Sequence, residues 1–135
     1  FFHFNVDLEG GPCLAKRVGA CGAGNEYFSV VPNGDIYPCH QFAGDSDFRM
    51  GSVYEGTLDP AIRKKFRDSC LFTREKCSSC FAKYICSGGC SANNYHFNGS
   101  IDEPYEITCA MMRKRTEDAM HILAERKKMQ AGKKA

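Results

Sequence analysis

Four cysteines stand within residues 77–90, CSSCFAKYICSGGC, separated by two, five and three residues. Thiolates are strong ligands for zinc and for iron–sulfur centres, and both commonly take them four at a time. A zinc site made of four cysteines usually comes as two short knuckles, each with its cysteines two to four residues apart. Cys77 and Cys80 make one such knuckle, and Cys86 and Cys90 a looser second one. That reading leaves Cys13, Cys21, Cys39, Cys70 and Cys109 without a role.

An iron–sulfur reading uses more of them. Cubane clusters take four cysteine thiolates, and clustered spacings often send the last cysteine to a second cluster. Cys90 follows Ser87-Gly88-Gly89. Two glycines let the backbone swing away from the loop around Cys77, Cys80 and Cys86, and let amide N–H groups approach sulfur. The four cysteines of this run therefore need not share one partner.

The first half offers further ligands. In YFSVVPNGDIYPC (27–39), Asn33-Gly34 between β-rich runs is a strong hairpin signal. A turn centred on that pair sets Cys39 opposite Phe28. Cys21 lies seven residues before Phe28, so CGAGN must fold back, which Gly22 and Gly24 permit. A site built from Cys21, Cys39 and Cys90 is then geometrically reasonable. Cys77, Cys80 and Cys86 need a fourth ligand, and Cys109 is free to provide it.

The elements that must position these residues are few. DPAIRKKF (59–66) reads as a short helix, with Asp59 as N-cap, Pro60 at the first helical position, and Ile62 and Phe66 on one face. SANNYHFNGSIDEP (91–104) reads as a polar loop. A final helix is expected from about Tyr105 to Lys128, with Met112, Ala119, Met120 and Leu123 as its apolar stripe and Arg126–Lys128 in its last turn. Phe1–Val6 suits a terminal strand, EGGPCL (9–14) a turn, and AGKKA a frayed end. The fold class is α+β: a small cysteine-rich domain with a β-hairpin, a short helix, cluster-binding loops and a C-terminal helix.

The totals narrow the class. A chain of 135 residues makes one domain or two small lobes, and its apolar residues come in short bursts, so a thin core that needs its metals is expected. A net charge of +2 is too small to argue for nucleic acid or an anionic membrane surface, and no run approaches the roughly 20 apolar residues of a membrane span. The basic end of the last helix lacks the interleaved aromatics of a base-stacking surface. A disulfide scaffold would need an oxidising compartment. The start, FFHFNVDLEG, shows no basic leader or cleavage site, and the cysteine number, nine, is odd. Metal-bound thiolates in a reducing cytoplasm are the expectation.

Cys21-x12-Gly34-x4-Cys39, then Cys77-x2-Cys80-x5-Cys86-x3-Cys90, then Cys109, resembles the seven-cysteine pattern of SPASM domains, the C-terminal extensions of radical SAM enzymes that modify peptides and proteins. The stretches CGAGNEYFSVVPNGDIYPCHQF and CFAKYICSGGCSANNYHFNG are most similar to those of SCIFF-type maturases, which form thioether crosslinks. The resemblance covers about 21–109. It implies two [4Fe–4S] clusters, the first held by Cys21, Cys39 and Cys90, the second by Cys77, Cys80, Cys86 and Cys109. It also implies an upstream cysteine or an open iron to complete the first, and Cys13 is the candidate ligand.

On this resemblance, residues 1–20 form a lead-in from an upstream radical SAM domain, 21–109 the iron–sulfur domain, and 110–135 a helix and basic tail. The partners are that upstream domain and a cysteine-containing precursor peptide. No three cysteines here have the C-x3-C-x2-C spacing of a SAM-binding cluster, since Thr73 and Asn93 stand where cysteines would be needed. S-adenosylmethionine is thus expected only in a larger enzyme, of which this chain is a C-terminal piece inactive alone. Within the same class, a formylglycine-type maturase that oxidises serine or cysteine is an alternative. A zinc-binding structural or interaction module is the rival from another class, and zinc or partial sites are expected in aerobically prepared material.

The remaining polar residues carry weaker signals. Cys70 matches no ligand of the pattern and reads as a buried or free thiol. His40, beside Cys39, is placed to tune the first cluster, although a structural histidine is the plainer reading. Tyr95, His96 and Asn93–Asn94 follow Cys90 and read as a solvated loop that can meet substrate. His3 and His121 carry no signal. No nucleophile–base pair, phosphate loop or carboxylate dyad is present in the sequence.

Overall fold

The computed structural model describes residues 6–10 and 13–132. The expected strand at Phe1–Val6, save Val6 itself, and the last residues of the tail lie outside them. Asp7 Oδ1 accepts the N–H groups of Glu9 and Gly10 in a turn, and α1 (Leu14–Gly19) follows. The centre of the chain is a small antiparallel sheet of β1 (Ser29–Val30), β2 (Asp35–Tyr37), β3 (Gly51–Ser52) and β4 (Thr57–Leu58), in the order β1-β2-β3-β4. Then come α2 (Pro60–Asp68), the single turns α3 (Glu75–Ser78) and α4 (Lys83–Cys86), α5 (Ser91–Asn98) and α6 (Glu106–Gly132). This is the expected α+β arrangement.

The hairpin forms where expected, but its register is one residue off the sequence reading. Ser29 pairs with Tyr37 and Val30 with Ile36, which sets Cys39 level with Tyr27 instead of Phe28. The cause is Pro32. Gly34 N–H donates to the Val31 carbonyl and Val31 N–H to the Asp35 carbonyl, so the loop holds Pro32, Asn33 and Gly34. Proline suits the second position of a type I turn, and Gly34, at φ +87°, takes the left-handed position that closes the three-residue loop.

Asp59 caps α2 as expected, accepting the N–H groups of Ala61 and Ile62. The helix turns Phe66 inward, with Ile62 half-buried beside it. The core is aromatic: Phe42 and Phe48 lie 4.2 Å apart between ring centroids, Phe66 meets Phe42 edge-on at 5.5 Å, and Tyr95 meets Phe48 edge-on at 4.6 Å. Cys39 is part of this core and Cys90 packs against it.

Two expectations need correction. Residues 91–98 of the supposed polar loop form α5, closed by Gly99, whose N–H donates to the Tyr95 carbonyl. Polar composition concealed the helix because its inward face carries Ser91, Ala92 and Asn94, and the asparagine is satisfied internally. Its Oδ1 accepts Tyr105 N–H at 3.1 Å and its Nδ2 donates to the Ile101 carbonyl at 3.2 Å. The last helix starts at Glu106 and runs to Gly132, past the expected end at Lys128. Ala119 is buried in it, as is Thr116, whose hydroxyl donates to the Met112 carbonyl, whereas Met120 faces solvent.

Phe42 is fully enclosed, so Phe42→Ala should cost about 3–5 kcal/mol of unfolding free energy in urea melts. Met129→Ala, at an exposed position of α6, should change stability by no more than about 0.5 kcal/mol.

Candidate metal centre

Cys39 lies two residues past β2, where the chain enters a single 3₁₀ turn at His40–Phe42. Phe42 N–H donates to its carbonyl at 3.1 Å, and the backbone N–H groups of Gln41 and Phe42 favour its thiolate. Cys21 opens a turn in which Asn25, Glu26 and Tyr27 donate to the Gly22 carbonyl. Gly24 N–H then donates to the Pro38 carbonyl at 3.0 Å, which stitches that turn to the residue before Cys39. The expected fold-back of CGAGN is thus present. Cys90 arrives from the other half of the chain, at the N-terminus of α5, and its sulfur accepts Gln41 Nε2–H at 3.5 Å. Burial pushes the Cys39 thiol above its ordinary value, and Cys90 and Cys21 act on it in the same direction. These three cysteines therefore share one neighbourhood.

A second neighbourhood holds the others. Cys77, Cys80, Cys86 and Cys109 line one cavity of about 270 Å³, between the single turns α3 and α4 and the first turn of α6. Burial again raises Cys77, Cys86 and Cys109, with Cys80 adding repulsion to each. Opposing it at Cys86 are the backbone N–H groups of Gly88 and Gly89, which favour the thiolate; Gly89 N–H donates to the Cys86 carbonyl at 3.3 Å. Ser87, Gly88 and Gly89 all have positive φ, at 57°, 83° and 75°. The two glycines bring their amides to Cys86 and turn the chain away, so that Cys90 leaves this cavity for the other group.

Arg74, only 2% exposed, fixes that turn. Its Nη1 donates to the Gly88 carbonyl at 2.7 Å; Nε and Nη2 donate to Ser69 Oγ, and Nη2 reaches Ser91 Oγ at 3.2 Å. A Cβ on Gly88 would stand 2.6 Å from Arg74 Nη1, so only glycine fits there. The Arg74 carbonyl accepts the N–H groups of Cys77 and Ser78, and the guanidinium favours the ionised forms of Cys77 and Cys86. Ser69 Oγ in turn donates to Asp102 at 2.5 Å, tying in the segment before α6.

Thiolate donor sets of this kind fit iron–sulfur clusters. Four cysteines line this one cavity, the number a cubane cluster takes. Nearby guanidinium groups, from Arg74 and from Arg113 beside Cys109, suit an anionic centre.

The other singled-out residues divide. Cys13 is exposed at the N-terminus of α1. Partial burial pushes the Cys70 thiol up, but the N–H groups of Phe72 and Thr73, the Thr73 hydroxyl and Arg74 together hold it below the ordinary range. His40 is exposed and its Nδ1 meets Tyr27 Oη at 3.1 Å. Tyr95 belongs to the core and Asn94 joins α5 to the start of α6, so neither is loop. His96 Nε2 donates to the Gln41 carbonyl at 3.1 Å. His121 is exposed on α6. Sequence reasoning missed Arg74 and Gln41. Nothing in LFTREKC marks one of its charged residues as buried, and in PCHQF the histidine drew attention from its neighbour.

Comparison with known proteins finds an iron–sulfur family over part of the chain. Residues 21–81 match the family model of SPASM, an iron–sulfur cluster-binding domain. An uncharacterised protein of Archaeoglobus fulgidus is 29% identical over 115 residues, covering 82% of this chain and 27% of its own. The mycofactocin maturase MftC of Mycobacterium tuberculosis and that of Mycolicibacterium smegmatis are each 29% identical over 111 residues, covering 77% of this chain and 27% of theirs. The chain thus spans about a quarter of the length of these curated relatives. No helix among the described residues is long and apolar enough to cross a membrane.

Replacing Arg74 by Met leaves the Gly88 carbonyl and two serine hydroxyls without the donor they accept from, and should cost about 3 kcal/mol in chemical denaturation. The raised thiols give a pH signature. A thiol that ionises less readily in the fold than in the unfolded chain contributes stability that is intact below the ordinary thiol pKa and lost as pH rises through the higher folded value. Metal-free protein should therefore melt at falling temperature as pH climbs past about 9. Metal-loaded protein, its thiols already ionised, should not share that decline.

Proposed function

We propose that this chain is the auxiliary iron–sulfur domain of a radical SAM enzyme that matures a peptide, and that it holds two [4Fe–4S] clusters. The carrying observation is the sorting of cysteines into two neighbourhoods, Cys21 and Cys90 acting on Cys39, and Cys77, Cys80, Cys86 and Cys109 around one cavity. The first group would hold one cluster, with Cys13 as candidate fourth ligand, and the second group the other. Bound there, such clusters supply one-electron transfer and, at an iron lacking a protein ligand, a position for a substrate thiolate.

The chain's own residues would hold and tune these centres. Gln41 donates to Cys90 Sγ, the backbone N–H groups near Cys39 and Cys86 favour their thiolates, and Arg74 holds the turn that separates the two groups. Residues 1–20 would lead in from an upstream domain that binds S-adenosylmethionine, and 110–135 would form the helix and tail beyond the clusters. Likeness to a maturase supports maturation of a peptide, and the SCIFF-like stretches favour a thioether at a precursor cysteine. We place the enzyme in the cytoplasm, where thiolates stay reduced.

Iron and sulfide content after anaerobic reconstitution tests the reading. About eight of each per chain are expected, against about four for one cubane. One or two tightly held zincs and no labile sulfide would overturn it in favour of a structural zinc module. Paired substitutions test the grouping, because residues acting in one unit are non-additive and separate sites add. Cys21→Ala with Cys90→Ala should lose little more iron than either alone, as should Cys86→Ala with Cys109→Ala. Cys21→Ala with Cys86→Ala should lose roughly the sum. If Cys90 instead behaves as one unit with Cys86, the run 77–90 is a single site.

A further inference from the structure

Among the described residues, Gln41 is the one side chain seen to donate to a sulfur of the first group from outside it. Its Nε2 donates to Cys90 Sγ at 3.5 Å, and the residue itself stands two positions after Cys39 in the 3₁₀ turn that Cys39 caps. One residue thus links two cysteines that come from opposite halves of the chain. Its carbonyl is held as well. A carbonyl can only accept, so His96 Nε2 carries the proton of the 3.1 Å bond between them. The imidazole that makes this bond packs on Phe42, with ring centroids 5.7 Å apart, at the aromatic core. Gln41 is therefore fastened from α5 on one side and from the 3₁₀ turn after β2 on the other.

We infer that Gln41 is a positioning residue that sets the reduction potential of the centre held by Cys21, Cys39 and Cys90, with His96 orienting it. This rests on the reading under Proposed function. One-electron reduction adds negative charge that is spread over iron, sulfide and cysteine sulfur. An N–H donor to a cysteine sulfur stabilises the reduced form more than the oxidised one, and so raises the potential. The side-chain amide of Gln41 acts in this sense at Cys90, independently of the glycine amides that serve Cys86 in the other group.

The test is a redox titration of the anaerobically reconstituted protein followed by electron paramagnetic resonance, with dithionite as the electron donor. Gln41→Leu removes the donor, Gln41→Glu replaces it with a carboxylate, and Gln41→Lys keeps a donor and adds positive charge. The potential should fall in the Leu variant, fall further in the Glu variant and rise in the Lys variant. Only the signal abolished by Cys21→Ala should move, and iron content should stay at the wild-type level. His96→Leu should give a smaller fall in the same signal. Unmoved potentials in all three Gln41 variants, with both clusters present in the wild type, would overturn this inference alone. Loss of half the iron in all three alike would make Gln41 a merely structural residue and overturn it too. A wild-type protein without sulfide-bound iron would overturn this inference and the proposed function together.

Discussion

A guanidinium buried to 2% exposure is expensive unless its donors are met, and the environment of Arg74 is built to meet them. The acceptors come from three separate stretches of chain: Ser69 after α2, Gly88 between α4 and α5, and Ser91 at the start of α5. Arg74 itself caps α3, which carries Cys77. The short elements α3 and α4 are single turns of four residues each, and Leu71 and Ala82 beside them are buried. The polar network around one cation joins the three stretches. That cation also offsets the burial and mutual repulsion that keep Cys77 and Cys86 protonated. The same group thus shapes the loop and readies its sulfurs for metal.

The two cysteine neighbourhoods stand on different supports. The first leans on the aromatic core, where Cys39 packs with Phe42, Phe48 and Phe66. The second leans on hydrogen bonds: Arg74 to Gly88, and Asn94 to Ile101 and Tyr105. α5 connects them, because Cys90 at its start faces the first group and Asn94, one turn later, lines the cavity of the second. Reading residues 91–104 as a solvated loop would have left the two sites without a rigid connection.

Much of this was legible from residue types. The Gly88-Gly89 pair, the Asp59-Pro60 cap and the Asn33-Gly34 hairpin each carry a local physical rule, and the structure follows each in outline. Where local rules competed, the reading slipped: Pro32 claimed the second turn position and moved the register by one. Long-range polar partners left no local trace. Arg74, Asn94 and Gln41 look like surface residues until the segments that satisfy them are folded against them. The cysteines announced which atoms matter, while the residues that hold those atoms in place gave no periodic or spacing signal.

The interleaving of the two groups along the chain has a further consequence. In the grouping we propose, Cys90 goes with Cys21 and Cys39, yet it lies between Cys86 and Cys109 of the other set. No single cut anywhere between residues 21 and 109 leaves both sets whole, and no contiguous segment excludes one set entirely while containing the other. A stretch of chain that carries one whole set therefore always carries at least one cysteine of the other.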